Sequence, residues 1–429
     1  MDSDEIAGDD LSPAALEEAN AELSGRIAGT RRGRPVRSSQ RDAVGWLRED
    51  MPPPPEGLAT ERLSDEGLAT LRLRLVPGLG PRLLSNLLQH FGSAAEAIRA
   101  DAESLCRVSG ISVKTASNVK LSCDLRDLDE LVHWCDHHDT RIAFRGQDGY
   151  PEPLRDLDDP PPVLFVRGDY LASDRLAVAI VGTRHATSYG LTQAHRLADA
   201  LARAGVTVVS GLARGIDAAA HEGALAGGGR TIAVLGGGLA KMYPPEHGGL
   251  AKAIAADGCV MSEQPPMVPA RSGLFPPRNR LVAALSSATL VVEAPPRSGS
   301  LITARLAGEL NRDVMAVPGP VSSRVSRGCH ELIRDGGTLV GHVDDILEML
   351  GPLATPVQQS DGREVRHGGE LKLNEVERQV LDCVSAENRP IDVVIAASGL
   401  PAHRVMSVIS VLEMRRLIRR GAGGYVCRV

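Results

Sequence analysis

The chain is poor in aromatics, with 4 Phe, 5 Tyr and 2 Trp among 429 residues. Its core must therefore come mainly from Ala, Val, Leu and Ile, and a hydrophobic content of 43% is enough for one. The 7 cysteines are scattered, odd in number and never at CxxC spacing. That argues against a disulfide framework or a thiol metal site and reads as indifferent thiols in a reducing compartment. No apolar run reaches the roughly 18 residues of a membrane span, and the opening MDSDEIAGDD is acidic where a leader would be basic and then apolar. A cytoplasmic protein with no membrane partner is expected. Positive charge is also short: the formal net charge is −6, so a polyanion must be met by local patches rather than by a global field. There is no GxxxxGK[ST], HExxH or paired Cys/His spacing, so no triphosphate loop, metal or cofactor is expected.

What is present divides the chain. Residues 1–60 change character repeatedly, through LSPAALEEANAEL, the basic GTRRGRPVRSSQR and the spacer MPPPPEG, and read as a disordered tail. Over 61–130, LVPGLGPRLLSNLL is echoed by RVSGISVKTASNVK, which predicts a tandem helix-hairpin-helix, a SAM-like helical domain. In the first copy Gly78-Leu79-Gly80, followed by Arg82, fits a turn whose N–H groups approach a phosphate. In the second, Ser112 stands where that pattern has its last glycine. Plain helical packing is the alternative to DNA contact here.

From Leu176 onward short, continuous apolar runs alternate with helical ones: LAVAIVG, VTVVSG, TIAVLGGG, CVMSE, ATLVVEA, DVMAVPG and GTLVG. Strands of that kind belong to a parallel sheet buried on both faces. The fold class expected is α/β, with a doubly wound, extended Rossmann-like core over 150–350. A polar linker, 351–371, leads to 372–429, where three helices and a hairpin read as a winged helix. Arg404, Arg415, Arg416, Arg419 and Arg420 make its last helix and wing locally basic. DNA or a protein partner would suit it equally.

In a doubly wound fold the residues just after the strands meet the ligand. After the first strand come Gly182, Thr183, Arg184 and Ser188. The second ends in Ser210 and Gly211 with Arg214 nearby. ATLVVEA leads to Ser298-Gly299-Ser300, with Thr303 in the first turn of the next helix. Hydroxyls, glycines and free helix N–H groups bind phosphate oxygens. LFPPRNRLVAAL adds a rare aromatic, Phe275, two prolines ahead of Arg278-Asn279-Arg280. Phe275 would offer a flat face to a base, the prolines a rigid turn, Arg278 and Arg280 phosphate contacts, and Asn279 a base-edge bond or a brace. Aromatic and basic residues interleaved on a groove suit single-stranded nucleic acid. No catalytic set is complete. Asp217 and His221, four apart, read as a helix-start Asp with a neighbouring His. Glu263 and Glu293 end strands without a nucleophile beside them.

AIVGTRHATSYG, SGLARGIDAAAH, LGGGLAKMYPPEH, FPPRNRLVAALS and RSGSLITARLAGELNRDVMAVPG, in this order, resemble the DprA (DNA-processing protein A, Smf) family. The resemblance runs from about residue 65 to the end and departs mildly at Ala283 or Ala284, where the family commonly has Gly. It implies a protein without enzymatic activity that binds single-stranded DNA, interacts with RecA and helps load it during natural transformation, as a homodimer through the core. A place in recombination outside competence is also compatible with it. Carried onto this chain, the DNA pocket would involve Arg184, the Ser210-Gly211 turn, Phe275, the Arg278-Asn279-Arg280 turn and Ser298-Gly299-Ser300. Two rivals differ in class. Phosphoribohydrolases of the LOG type carry a PGGxGT turn with a following Glu, whereas PPRSGSLITA has none at once. A winged-helix regulator with a ligand-sensing core would bind one duplex sequence.

Overall fold

Four short polar side chains start four of the first helices. Ser64, Ser93, Asp101 and Ser112 each accept a hydrogen bond from the backbone N–H three residues on, which satisfies a donor the helix itself leaves open. They open α1 (Asp65–Arg74), α3 (Ala94–Arg99), α4 (Ala102–Cys106) and α5 (Val113–Lys120), while α2 (Pro81–Phe91) begins with Gly80 as cap and proline in its first turn. The computed structural model describes residues 63–121, 125–358, 364–385, 387–415, 417–421 and 424–428. The tail expected over 1–60, Arg416 and residues 359–363 of the expected linker lie outside the described residues. The chain divides into two units, Met1–Gln147 with Asp158–Leu164, and Asp148–Leu157 with Phe165–Val429.

The first unit holds the tandem helix-hairpin-helix. Gly78 and Gly110 both have φ +85°, a left-handed conformation that glycine adopts without a Cβ penalty. Leu79 N–H donates to Val76 and Ile111 N–H to Val108, so the two turns are closed alike. Each copy also fastens the other's turn. Asn86 on α2 donates to the Ser109 carbonyl, and Asn118 on α5 to the Pro77 carbonyl. Ser112, in place of a glycine, is the cap of α5, so the departure noted in the sequence costs the turn nothing. Leu73, Leu84, Leu87, Leu105 and Val119 lie in the shared core. The unit runs past the expected end at 130, through α6 (Leu125–His137) and β1 (Thr140–Phe144).

The second unit is built on a sheet ordered β2-β6-β5-β4-β3-β7-β8-β9. The strands are β2 (Val163–Gly168), β3 (Ala177–Val181), β4 (Thr207–Ser210), β5 (Thr231–Leu235), β6 (Cys259–Ser262), β7 (Ala288–Val291), β8 (Asp313–Ala316) and β9 (Thr338–Leu339). The seven expected strands are present and parallel. β2 was not foreseen and pairs antiparallel with β6. The crossing helices are α7 (Ser188–Arg203), α8 (Ile216–Ala226), α9 (Gly248–Asp257), α10 (Phe275–Ala284) and α11 (Gly299–Glu309), followed by α12 (Arg327–Arg334) and α13 (Val343–Met349). From β3 the chain winds through β4, β5 and β6 on one side and then returns to β7 on the other. The switch point therefore lies between β3 and β7, where such sheets open a crevice.

Two expectations need correction. The rigid basic turn at FPPRNR is the first turn and a half of α10; proline is tolerated there because the first N–H groups of a helix have no intrahelical acceptor. The polar linker expected over 351–371 contains β10 (Pro352–Gln358) paired antiparallel with β11 (Glu364–His367), and Val365 joins the main core. Beyond it, α14 (Glu375–Asp382) starts with the capping box of Asn374 and Glu377. With α15 (Ile391–Ser398), α16 (Ala402–Met414), β12 (Arg389–Pro390) and the hairpin β13 (Ile418–Gly421) and β14 (Tyr425–Arg428), it forms the winged helix around its own core.

Candidate nucleic-acid interface

A cleft of about 280 Å³ opens at the carboxyl ends of β3 and β7. Of the residues singled out in the sequence, Gly182, Thr183, Arg184, Phe275, Arg278, Asn279, Ser298, Gly299, Ser300 and Thr303 line it, joined by Val181, His185, Ala213 and Asp217. The loop after β3 supplies Arg184. The start of α10 supplies Phe275 and Arg278. The N-terminus of α11 supplies Ser298, whose Oγ caps the helix at Ser300 N–H and lies 2.8 Å from Ser300 Oγ. A Cβ at Gly299 would meet nothing within 4 Å, so a ligand has open access to the backbone at this helix start. Asn279 braces rather than reads: its Nδ2 donates to the Gly299 carbonyl and ties α10 to the beginning of α11.

Arg278 sets the chemistry of the cleft. Its side chain lies over Gly211, where any Cβ would collide with the guanidinium. The residue is 8% exposed, Nε is buried without a partner, and it makes no hydrogen bond to any of the described residues. Burial pushes its pKa down, against the charge of Asp217. Asp217 is buried too. Burial raises its pKa, and the Arg278 charge and hydrogen bonds from Ala213 and Gly211 N–H oppose the rise. A buried cation with spare donors, beside a helix N-terminus, is arranged for an anion.

Phe275 does not stand free as a flat face. It is half-buried, and the Arg184 guanidinium lies over its ring, 4.7 Å from the centroid. The pair offers a base the outer plane of an arginine held on an aromatic, a surface on which unpaired bases stack. Tyr243, which the sequence reading passed over, has its ring centroid 6.4 Å from that of Phe275. The signal for it is the shared pattern Tyr243-Pro244-Pro245 and Phe275-Pro276-Pro277.

The structure keeps five of the expected residues out of the cleft lining. Ser210 is fully buried and donates to the Ile180 carbonyl between strands. Gly211 is the floor under Arg278. Ser188 is exposed in the first turn of α7. Arg214 is exposed and bonded to Glu246 and Tyr243. Arg280, two positions from Arg278 and so on a different face of the helix, is buried in an ion pair with Glu263 at 2.8 Å. Glu293 accepts from Thr187 N–H and Oγ–H and holds the start of α7. Both strand-end carboxylates are thus committed to structural partners. His221 is buried with Nδ1 2.7 Å from Thr231 Oγ1. Thr231 donates to the Val208 carbonyl, so His221 carries its proton on Nδ1. No group of His, Cys, Asp and Glu fit to hold a metal occurs among the described residues. No single helix among them is long and apolar enough to cross a membrane.

In the winged helix the basic residues are less available than their number implies. Arg415 pairs with Glu377, and Arg420 with Glu413. Arg404 and Arg419 are exposed.

Residues 141–351 match the model of the family described as DNA recombination-mediator protein A, residues 369–424 that of the DprA winged helix domain, and residues 71–124 that of the SAM-like helix-hairpin-helix tandem. The chain is 40% identical to the Protein Smf of Synechocystis over 284 residues, 65% of this chain and 71% of that one. It is 41% identical to the putative DNA processing protein DprA of Mycobacterium tuberculosis over 296 residues, 66% and 75% of the two chains. The X-ray structure of DNA processing protein A from Streptococcus pneumoniae superposes with a TM-score of 0.58 at 31% identity, covering 66% of this chain and 97% of that one.

Proposed function

The chain belongs to the DNA recombination-mediator protein A family, DprA or Smf, and from that premise we propose that it binds single-stranded DNA in the cleft between the loop after β3, α10 and the N-terminus of α11, and presents it to RecA for recombination. The family is one of DNA-processing recombination mediators, not of enzymes. The observation that carries the reading is Arg278, a buried guanidinium without a hydrogen-bond partner among the described residues, in the same cleft as the N-terminus of the eleven-residue α11. A strand phosphate supplies the missing acceptor. Thr183, Ser298, Ser300 and Thr303 surround it with hydroxyls, and Arg184 on Phe275 takes the base. A cleft of about 280 Å³ is sized for one nucleotide at a time, so the strand enters unpaired. Gly78, Gly80 and Arg82 of the first hairpin turn are a secondary phosphate contact in this scheme. The protein works in the cytoplasm as a homodimer through the core, and its partners are single-stranded DNA and RecA. No cofactor takes part.

Fluorescence anisotropy with a labelled oligothymidylate and a duplex of equal length tests this. The single strand binds more tightly, with little dependence on sequence, because stacking and phosphate contacts tolerate any base. Equal or tighter binding of the duplex by residues 150–350 would overturn it. Release of free base from nucleoside monophosphates would establish the phosphoribohydrolase reading instead.

A further inference from the structure

Two double prolines mark the rim of the cleft. Phe275-Pro276-Pro277 opens α10, and Tyr243-Pro244-Pro245 leads through the turn Pro245–His247 into α9. Proline fixes φ, so the backbone beside each ring is stiff. In a chain with only 4 Phe, 5 Tyr and 2 Trp, two aromatics are held side by side at one site. Their flanks are cationic: Arg184 over Phe275 at 4.7 Å, and Arg214 over Tyr243 at 5.4 Å from the ring centroid. Arg184, Phe275, Tyr243 and Arg214 thus form a row.

The two rings are not equivalent. Phe275 is covered by Arg184 and packs against Gly236, where a Cβ would come within 2.9 Å of the ring. Tyr243 is 44% exposed. The rings are inclined at 57° with centroids 6.4 Å apart, so no base inserts between them, and Tyr243, with Arg214 farther from its ring than Arg184 is from Phe275, is the more exposed platform. Arg214 donates to the Tyr243 hydroxyl at 3.1 Å and to Glu246 at 2.5 Å. Both members of that ion pair are about half exposed, at 47% and 51%. Such a pair holds little net energy in water, and a phosphate takes the guanidinium from it at small cost.

We propose that Tyr243 and Arg214 form a second nucleotide subsite beside the cleft, in which the next base of a single strand stacks on Tyr243 while its phosphate displaces Glu246 from Arg214. The proposal rests on the cleft being the single-strand site. It gives Glu246 the role of an internal competitor, occupying Arg214 until DNA arrives.

The test is calorimetric titration at constant salt with thymidine monophosphate, which fills the cleft alone, and an oligothymidylate of about a dozen nucleotides, within the usual site sizes. Tyr243→Ala and Tyr243→Leu weaken the long ligand by about tenfold and leave the mononucleotide unchanged, while Tyr243→Phe binds both as the parent does. Glu246→Gln tightens the long ligand alone. Equal affinity of Tyr243→Ala, Tyr243→Leu and parent for the long ligand, with Arg278→Gln weakened, overturns the second subsite and leaves the cleft standing. Equal losses on both ligands also overturn it, since Tyr243 would then only support the cleft. If Arg278→Gln binds like the parent, the cleft reading itself has failed. Should the alanine variant misfold, the gain expected of Glu246→Gln decides alone, and no gain counts against the subsite.

Discussion

Arg278 and Arg280 share a helix and a charge but have opposite surroundings. One ends in the cleft with spare donors. The other ends against Glu263, with 10% and 5% of the two side chains exposed. Read along the sequence, RNR gives two phosphate contacts. The helical period sends positions i and i+2 to different faces, and only a helix assignment for FPPRNR would have exposed the difference. Arg280→Ala leaves Glu263 buried and deprived of a guanidinium partner, which should destabilise the protein by about 3–5 kcal/mol. Urea unfolding checks this. An Arg280→Ala protein as stable as the parent, with weakened DNA binding, would return Arg280 to the interface. The aromatic was partly legible. Phe275 stood out through its rarity, but its role as the bed for Arg184 depends on a loop distant in sequence, and Tyr243 was hidden within a motif read only for its glycines.

At the scale of elements, the sheet was the most legible part, because strands covered on both faces must be continuously apolar. β2 escaped notice because PPPVLFVRG begins with prolines, which read as a break. β10 and β11 escaped because PLATPVQ is interrupted by two prolines and EVRH has a single apolar residue, so neither shows a sustained apolar run. The switch-point site followed from the strand order, whereas the division of labour within it did not. The junction of α8 with β5 has a pH signature. Burial, and then the charges of His247 and Arg278, pull the His221 pKa from 6.5 to about 3. Below 6.5 the unfolded chain takes a proton that the folded one refuses. The stability linked to His221 is therefore complete above 6.5 and is lost as pH falls toward 3. His221→Gln should lose less stability than the parent over that range in urea unfolding monitored by circular dichroism. Identical losses would mean that His221 is protonated in the fold.

The whole molecule carries a net charge of −6, so its attraction for DNA is local and short in range at physiological salt. The winged helix has its own core, with Arg428 and Arg378 bonded to Glu370. Val365, by contrast, belongs to the core of the large sheet. Leu371 packs against that core as well, so a chain ending after Lys372 should keep the melting transition of the core and its single-strand affinity, whereas a cut at 351 removes Val365 and Leu371 and lowers that transition. Loss of all single-strand binding in the chain ending after Lys372 would place the DNA path in the winged helix.

In the proposed complex a strand phosphate completes Arg278. The most direct test of that contact is the salt dependence of oligothymidylate binding by the full chain and by Arg278→Gln, with thermal melting to confirm that both are folded. The variant should bind more weakly, with a plot of log K against log salt shallower by about 0.7, the share of one phosphate contact on a single strand. A folded variant with the parent's affinity and slope would contradict it.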